Sequence, residues 1–416
     1  MIEKESQRLS STGLRLNGLA PALQFRNFRL FWVAQILSTI GTSLQVVAEG
    51  WLTYEITQST FWLGMVGFLA LLPVVPISLL GGVLIDRFPR RKLILLTQFG
   101  LMAQALVFAV LAQSGRIQLP HLILLYFVFG ALLAIDHPAR RAFLVDLVDR
   151  DSLANAVALN GTLFNVSSLV GFAAAGVLIA TIGAGGAMFI NAATYVAPIL
   201  ALVAINVPDL RHDQQRSPVR TAWMEGFVTL WHKPAVLGAI ALVAVVGGLT
   251  YPLYGMMPAF AQDVLGTGAV GLGLLLACGA LGAMLGTVVV ARLGAHGRGR
   301  TLAIASLLLP LLIIGFARAP GVVAAGLMMV AAGLVLLIVQ SLAITLVQVN
   351  VEDRVRGRVM TIYSQIHAGS DVASNVLIGT LAVVLGLPLA LALGGVVAFL
   401  FAVALLLLLP TIRHLD

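Results

Sequence analysis

Charge is scarce in this chain and cysteine scarcer. Asp, Glu, Lys and Arg make up only 10% of its 416 residues, too little polar surface to cover a water-soluble globule of that size. Cys278 is the sole cysteine, which excludes an intramolecular disulfide and a cysteine metal cluster. The seven histidines are scattered and no His-Glu-x-x-His run occurs, so the common catalytic-zinc pattern is missing and no metal is expected. No Gly-Lys dipeptide occurs either. A P-loop that cradles nucleotide phosphates is thereby excluded, and no ATP is expected to be hydrolysed on this chain. Residues 1–25 are polar, without the apolar core and small-residue site of a cleavable signal.

What fills the chain is hydrocarbon: 60% of residues are hydrophobic and the mean hydropathy is +1.02. Apolar runs of about 20 residues, each long enough to span a bilayer as a helix, recur from Leu30–Thr53 to Pro388–Leu409. They predict an all-α polytopic membrane protein with twelve transmembrane helices in two six-helix halves. The layout is a cytoplasmic N-terminal segment (1–29), an N-terminal half (30–207), a cytoplasmic linker (208–234), a C-terminal half (235–409) and a cytoplasmic tail (410–416). The halves look like copies: "GGVLIDRF" from Gly81 aligns with "GTVVVARL" from Gly286, and "VDRDSLANAV" from Val148 with "VEDRVRGRVM" from Val351, at nearly the same offset. With both termini inside, all of the 25 Lys and Arg except Arg116 and Arg318 fall on the cytoplasmic side, as the positive-inside rule requires. Anionic inner-leaflet lipid accounts for the net charge of +8, and no nucleic acid is expected as a partner.

Ionisable and amide side chains inside spans mark pathways for solutes or protons. In the first span Gln35, Ser38, Thr42, Gln45 and Glu49 recur at steps of three or four and share one stripe. In the eleventh, Tyr363, His367, Asp371 and Asn375 step by four, and His367 and Asp371 are spaced to pair. Glu49 is the first candidate for proton coupling or solute contact, and Asp371 with His367 the second. Softer cavity candidates are Asn160, Thr162 and Asn165 in the fifth span, Asn191 and Tyr195 in the sixth, Tyr251 and Tyr254 in the seventh, and Gln340 and Gln348 in the tenth. "GAMLG" from Gly282 to Gly286 permits close helix packing. In the linker, Trp223, Phe227, Leu230 and Trp231 suit an amphipathic helix on the membrane surface.

One loop carries a recognisable signature. Between the second and third spans "GGVLIDRFPRRK" supplies Gly82, Leu84, Asp86, Arg87, Arg90 and Arg91, with Pro89 in place of a glycine. The chain thereby resembles the major facilitator superfamily. "HPARRAFLVDLV", "NAVALNGTLFN" and "RGRVMTIYS" are similar to its branch of enterobactin exporters and macrolide-efflux proteins. The resemblance implies secondary transport by alternating access: export of bulky small molecules, drug-like compounds or siderophores, across the bacterial inner membrane. It implies proton antiport, with the proton gradient as energy source and no cofactor. An importer or lipid-metabolite carrier of the same fold is the alternative, and a polytopic enzyme or scaffold the reading from a different class. The expected partners are a small-molecule substrate and membrane lipid, with the protein a monomer.

The resemblance also implies a cytoplasmic latch. Asp86 would face the start of the eleventh helix, and Arg90 would pair with an acid at the inner end of the fourth, Asp136 first and Asp146 second. In the second half Ala291 replaces the acid, so the latch is expected to be one-sided. Proton-driven exporters of the superfamily often carry a basic residue in the fourth span, four residues before a glycine. Here that place, before Gly130, is Tyr126.

Overall fold

A computed structural model describes residues 21–74, 77, 88–207, 219–294 and 297–415. Among them the chain is helical, without strands. The first span is Arg26–Thr57, the third Arg90–Gln113 and the fourth Leu119–Val145. The seventh begins as Pro234–Gly255, and the eighth to twelfth are Gly268–Arg292, Arg298–Ala317, Val322–Asn350, Asp353–Leu385 and Leu387–Leu408. The fifth and sixth form one run, Leu153–Ala204, of 52 residues. A straight helix of that length would be about 78 Å long, more than twice a hydrocarbon core of about 30 Å. The chain instead breaks at Gly183, whose φ of 76° and ψ of 169° are open to glycine alone. The second span starts as Thr60–Leu71 and leads through Pro73 into residues outside the description. Counted this way, the helices accommodate the twelve spans expected.

The fourth span departs from expectation. Its apolar run stops near Ile135, yet the helix continues to Val145 with Pro138 inside it. Ten residues read as loop are therefore helix, which changes the partner of Asp136.

Successive spans alternate in direction, so the first span ends, and the second begins, at the face opposite the described C-terminus. In the N-terminal half the first span packs along the fifth and sixth, and the third along the fourth and sixth. In the C-terminal half the eighth packs on the tenth, and the ninth on the tenth and twelfth. Gly282 lets the eighth span approach this way, because a Cβ there would run into the Val330 carbonyl, and one at Gly286 would lie 2.7 Å from the Leu334 carbonyl.

The halves meet along two helix pairs, second with eleventh and fifth with eighth. Both crossings use glycine. Gly64 abuts the Asn375 carbonyl, Gly379 the Thr60 carbonyl, and Gly176 lies against Gly273. The Thr60 hydroxyl donates to the Gly379 carbonyl at 3.0 Å, and the Tyr54 hydroxyl to Asp263. These contacts gather at the end where the first span finishes. Midway down, Asn165 Nδ2 donates to Thr287 Oγ1 at 3.2 Å.

The linker helix, Val219–Trp231, lies against the start of the eleventh span, where Glu225 pairs with Arg358. Met224, Phe227, Val228 and Trp231 point outward, Trp231 with 80% of its surface free. Leu230 does not join that stripe. It sits about 60° from Phe227 around the helix and is buried against the protein, while the Trp223 side chain lies outside the described residues.

Candidate functional site

Glu49 sits inside the N-terminal half, 1% exposed. Its position follows from the stripe: Gln45, one turn earlier, donates from Nε2 to Glu49 Oε1 at 2.7 Å. The third span adds Gln104, whose Nε2 donates to the same oxygen at 3.2 Å and to the Leu125 carbonyl at 3.2 Å. Gln45 Nε2 also reaches Gln104 Oε1 at 2.9 Å, and Asn191 Nδ2 of the sixth span donates to Gln45 Oε1 at 2.6 Å. Donors from three spans thus run in one direction, toward the carboxylate. Thr53, one turn beyond, donates to the Glu49 carbonyl at 2.7 Å and stands 3.4 Å from the Tyr126 hydroxyl. Tyr126, where a basic residue would stand, therefore brings a hydroxyl and no charge. Among the described residues no Lys, Arg or His reaches Glu49.

Asp136 is not the partner of Arg90. Arg90 is the first residue of the third span and Asp136 lies ten residues, about 15 Å, inside the fourth, beyond its reach. Arg90 Nη1 instead meets Asp146, just past the helix end, at 2.9 Å and the Ala142 carbonyl at 3.1 Å. Asp136, 1% exposed, pairs with Arg140 at 2.5 Å one turn on. Its other oxygen accepts from Thr97 Oγ1 at 2.7 Å and Gln98 Nε2 at 3.0 Å. Arg140 in turn donates to Gln35 of the first span. Arg91 caps the end of the sixth span through the Leu202 and Val203 carbonyls, at 2.6 and 3.0 Å. The described arms of the loop thus bind within the N-terminal half. Gly82, Asp86 and Arg87 lie outside the described residues.

In the C-terminal half His367 Nδ1 stands 3.1 Å from Asp371 Oδ2, and its Nε2 3.3 Å from Gln340 Nε2 of the tenth span. With Nδ1–H donating to the carboxylate, Nε2 is free to accept from the amide. Tyr251 and Tyr254 hold their rings 6.0 Å apart. Other candidates serve the helices themselves. Thr42 donates to the Ser38 carbonyl at 2.9 Å, Asn165 bridges the halves, and Asn160 is half-buried in the fifth span.

Sequence reasoning passed over Gln104, Thr97, Gln98, Arg140 and the Tyr54–Asp263 contact. The signal for three of them was present: Thr97, Gln98 and Gln104 are the polar residues of an otherwise oily third span. Arg140 was hidden by the early end assigned to the fourth.

Comparison with known proteins agrees with this architecture. The family model described as "Transmembrane secretion effector" matches residues 16–416. The enterobactin exporter EntS of Escherichia coli (strain K12) is 26% identical over 394 residues, covering 93% of this chain and 92% of its own. The staphyloferrin A transporter of Staphylococcus aureus is 25% identical over 179 residues, 43% of this chain and 45% of that protein. Among solved structures, a bacterial homolog of the human lysosomal transporter Spinster, inward-facing and unoccupied, superposes with a TM-score of 0.66 at 16% identity, covering 93% of this chain and 95% of that one. The nucleoside transporter NupG does so with a TM-score of 0.73 at 11% identity, covering 92% and 98%. The chain therefore belongs to the transmembrane secretion effector family of the major facilitator superfamily, a multi-pass membrane transporter and not an enzyme.

Proposed function

We propose that this protein exports bulky small molecules across the bacterial inner membrane by alternating access in exchange for protons, with Glu49 as the proton-carrying group. The observation that carries the reading is the amide cage around Glu49: a buried carboxylate that accepts from Gln45 and Gln104, with Asn191 donating to Gln45 behind them, and no cation among the described residues. Holding a charge in such a place costs several kcal/mol unless it is compensated. A proton removes that charge. Charged and protonated forms therefore favour different packings of the first, third and sixth spans, which is the link between proton and conformation that an antiporter needs.

Alternating access is supported by the way the halves touch. Polar and glycine contacts close one end, and each half keeps its own polar cluster. The distribution of Lys and Arg supports an outside position for the closed end under the positive-inside rule, with both termini cytoplasmic. Export, as the direction, is supported by the relative named an enterobactin exporter.

The test is purified protein in liposomes containing a pH dye, screened with dye-like drugs, macrolides and catechol siderophores with and without an imposed pH gradient. Wild-type protein should move protons when substrate is present, and Glu49→Gln, which keeps the cage filled, should lower that flux at least about tenfold while substrate still binds. Transport indifferent to the gradient, or full proton flux in Glu49→Gln, contradicts the assignment.

A further inference from the structure

The C-terminal half holds a second polar cluster that proton coupling through Glu49 leaves unused. Asp371 is 7% exposed. Its Oδ2 is engaged by His367, but Oδ1 is buried with no hydrogen-bond partner. The Tyr363 hydroxyl on the same helix is likewise buried without a partner, and the seventh span packs on this stretch, Gly248 against Ser370 and Gly255 against Asn375, with Tyr251 between them in sequence. A buried acceptor left unmet costs about 1–3 kcal/mol, more when charged. Such a group is retained where something else supplies the donor.

The surroundings restrict what that something is. Residues 235–290, 302–317, 321–350 and 359–409, which include every C-terminal span core, contain no Lys or Arg. Among the described residues His367 is the one potential cation near Asp371, and its two ring nitrogens are taken by Asp371 and Gln340. An anionic solute would meet the Asp371 carboxylate with no cation free to pair with it. Aromatic surface is available at Tyr251, which keeps 39% of its surface free and stands beside Tyr254, while the buried Tyr363 ring packs on His367. An open tyrosine face favours an aromatic guest, offset-stacked or edge-on.

We propose that Tyr251, Gln340, Tyr363, His367 and Asp371 form a solute subsite that takes an aromatic group carrying an O–H or N–H donor and rejects a carboxylate. The donor meets Asp371 Oδ1, and the ring lies against Tyr251. This deepens the reading of the chain as a small-molecule exporter and does not depend on how export is driven.

The experiment measures equilibrium binding to the full-length protein in lipid nanodiscs, without any gradient. The probes are ethidium (aromatic, with N–H donors), catechol as an unlabelled competitor, tetraphenylphosphonium (an aromatic cation without donors) and citrate. Ethidium should bind, catechol should displace it, and tetraphenylphosphonium and citrate should compete at least about tenfold more weakly than their donor-bearing counterpart. Asp371→Asn should weaken ethidium at least about tenfold, and Tyr251→Phe, which keeps the ring, by no more than about threefold. Citrate or tetraphenylphosphonium competing as well as catechol, or Asp371→Asn binding ethidium as wild type does, overturns the proposal. The probe comparison uses wild-type protein, so it holds even if a variant fails to fold. Selective binding without proton flux in liposomes would refute the coupling role and leave this subsite intact; proton-coupled transport without this selectivity would do the reverse.

Discussion

Gln104 and Arg140 show how much a single polar side chain carries inside a membrane protein. Gln104 donates to both Glu49 and the Leu125 carbonyl. Gln104→Leu leaves two buried acceptors short and should destabilise the protein by about 1–3 kcal/mol. The sole thiol, Cys278, is partly buried, so its labelling by a fluorogenic maleimide during heating reports the loss; an unchanged melting curve would mean the cage is not load-sharing. Asp136 and Arg140 form a buried pair, and removing one partner strands the other. Asp136→Ala should cost about 3–5 kcal/mol. Adding Arg140→Ala to it should recover part of that loss in the same assay, whereas additive losses would show that the pair is not coupled.

At the scale of elements, the glycines at helix crossings set how the halves close. Gly64 faces the Asn375 backbone, whereas a Cβ at Gly67, one turn on, would have nothing within 4 Å. Gly64→Val should therefore wedge the second span from the eleventh at a cost of about 1–3 kcal/mol to the closed arrangement, and Gly67→Val should not. In a Cys278→Ser background, a cysteine placed at Thr60 should react with a water-soluble maleimide about tenfold faster in the Gly64→Val protein. Equal rates in the two valine variants would mean that this crossing does not hold the gate. These crossings were only partly legible in sequence. "GAMLG" announced close packing of the eighth span, but nothing in the pattern told which helix would approach Gly64 or Gly176, because that depends on how each helix is rotated in the bundle.

For the whole molecule, the spans were readable because hydrocarbon imposes length and apolarity on each helix. The stripe from Gln35 to Glu49 was readable for the same reason, as polar residues at helical spacing. What composition could not supply was partnership. Asp136 looked like the end of a helix because apolarity ended there, and only the ten further helical residues showed it to be Arg140's anchor. Alternating access requires the halves to rock against each other in step with the protonation of Glu49. The most direct test is the distance between spin labels at Ser114 and Arg318, exposed residues at the closed end of the two halves, measured by pulsed electron spin resonance in nanodiscs across pH and with transported substrate. A second, longer distance is expected, whose share changes with pH and substrate and loses its pH response in Glu49→Gln. A single distance, unmoved by either, would contradict it.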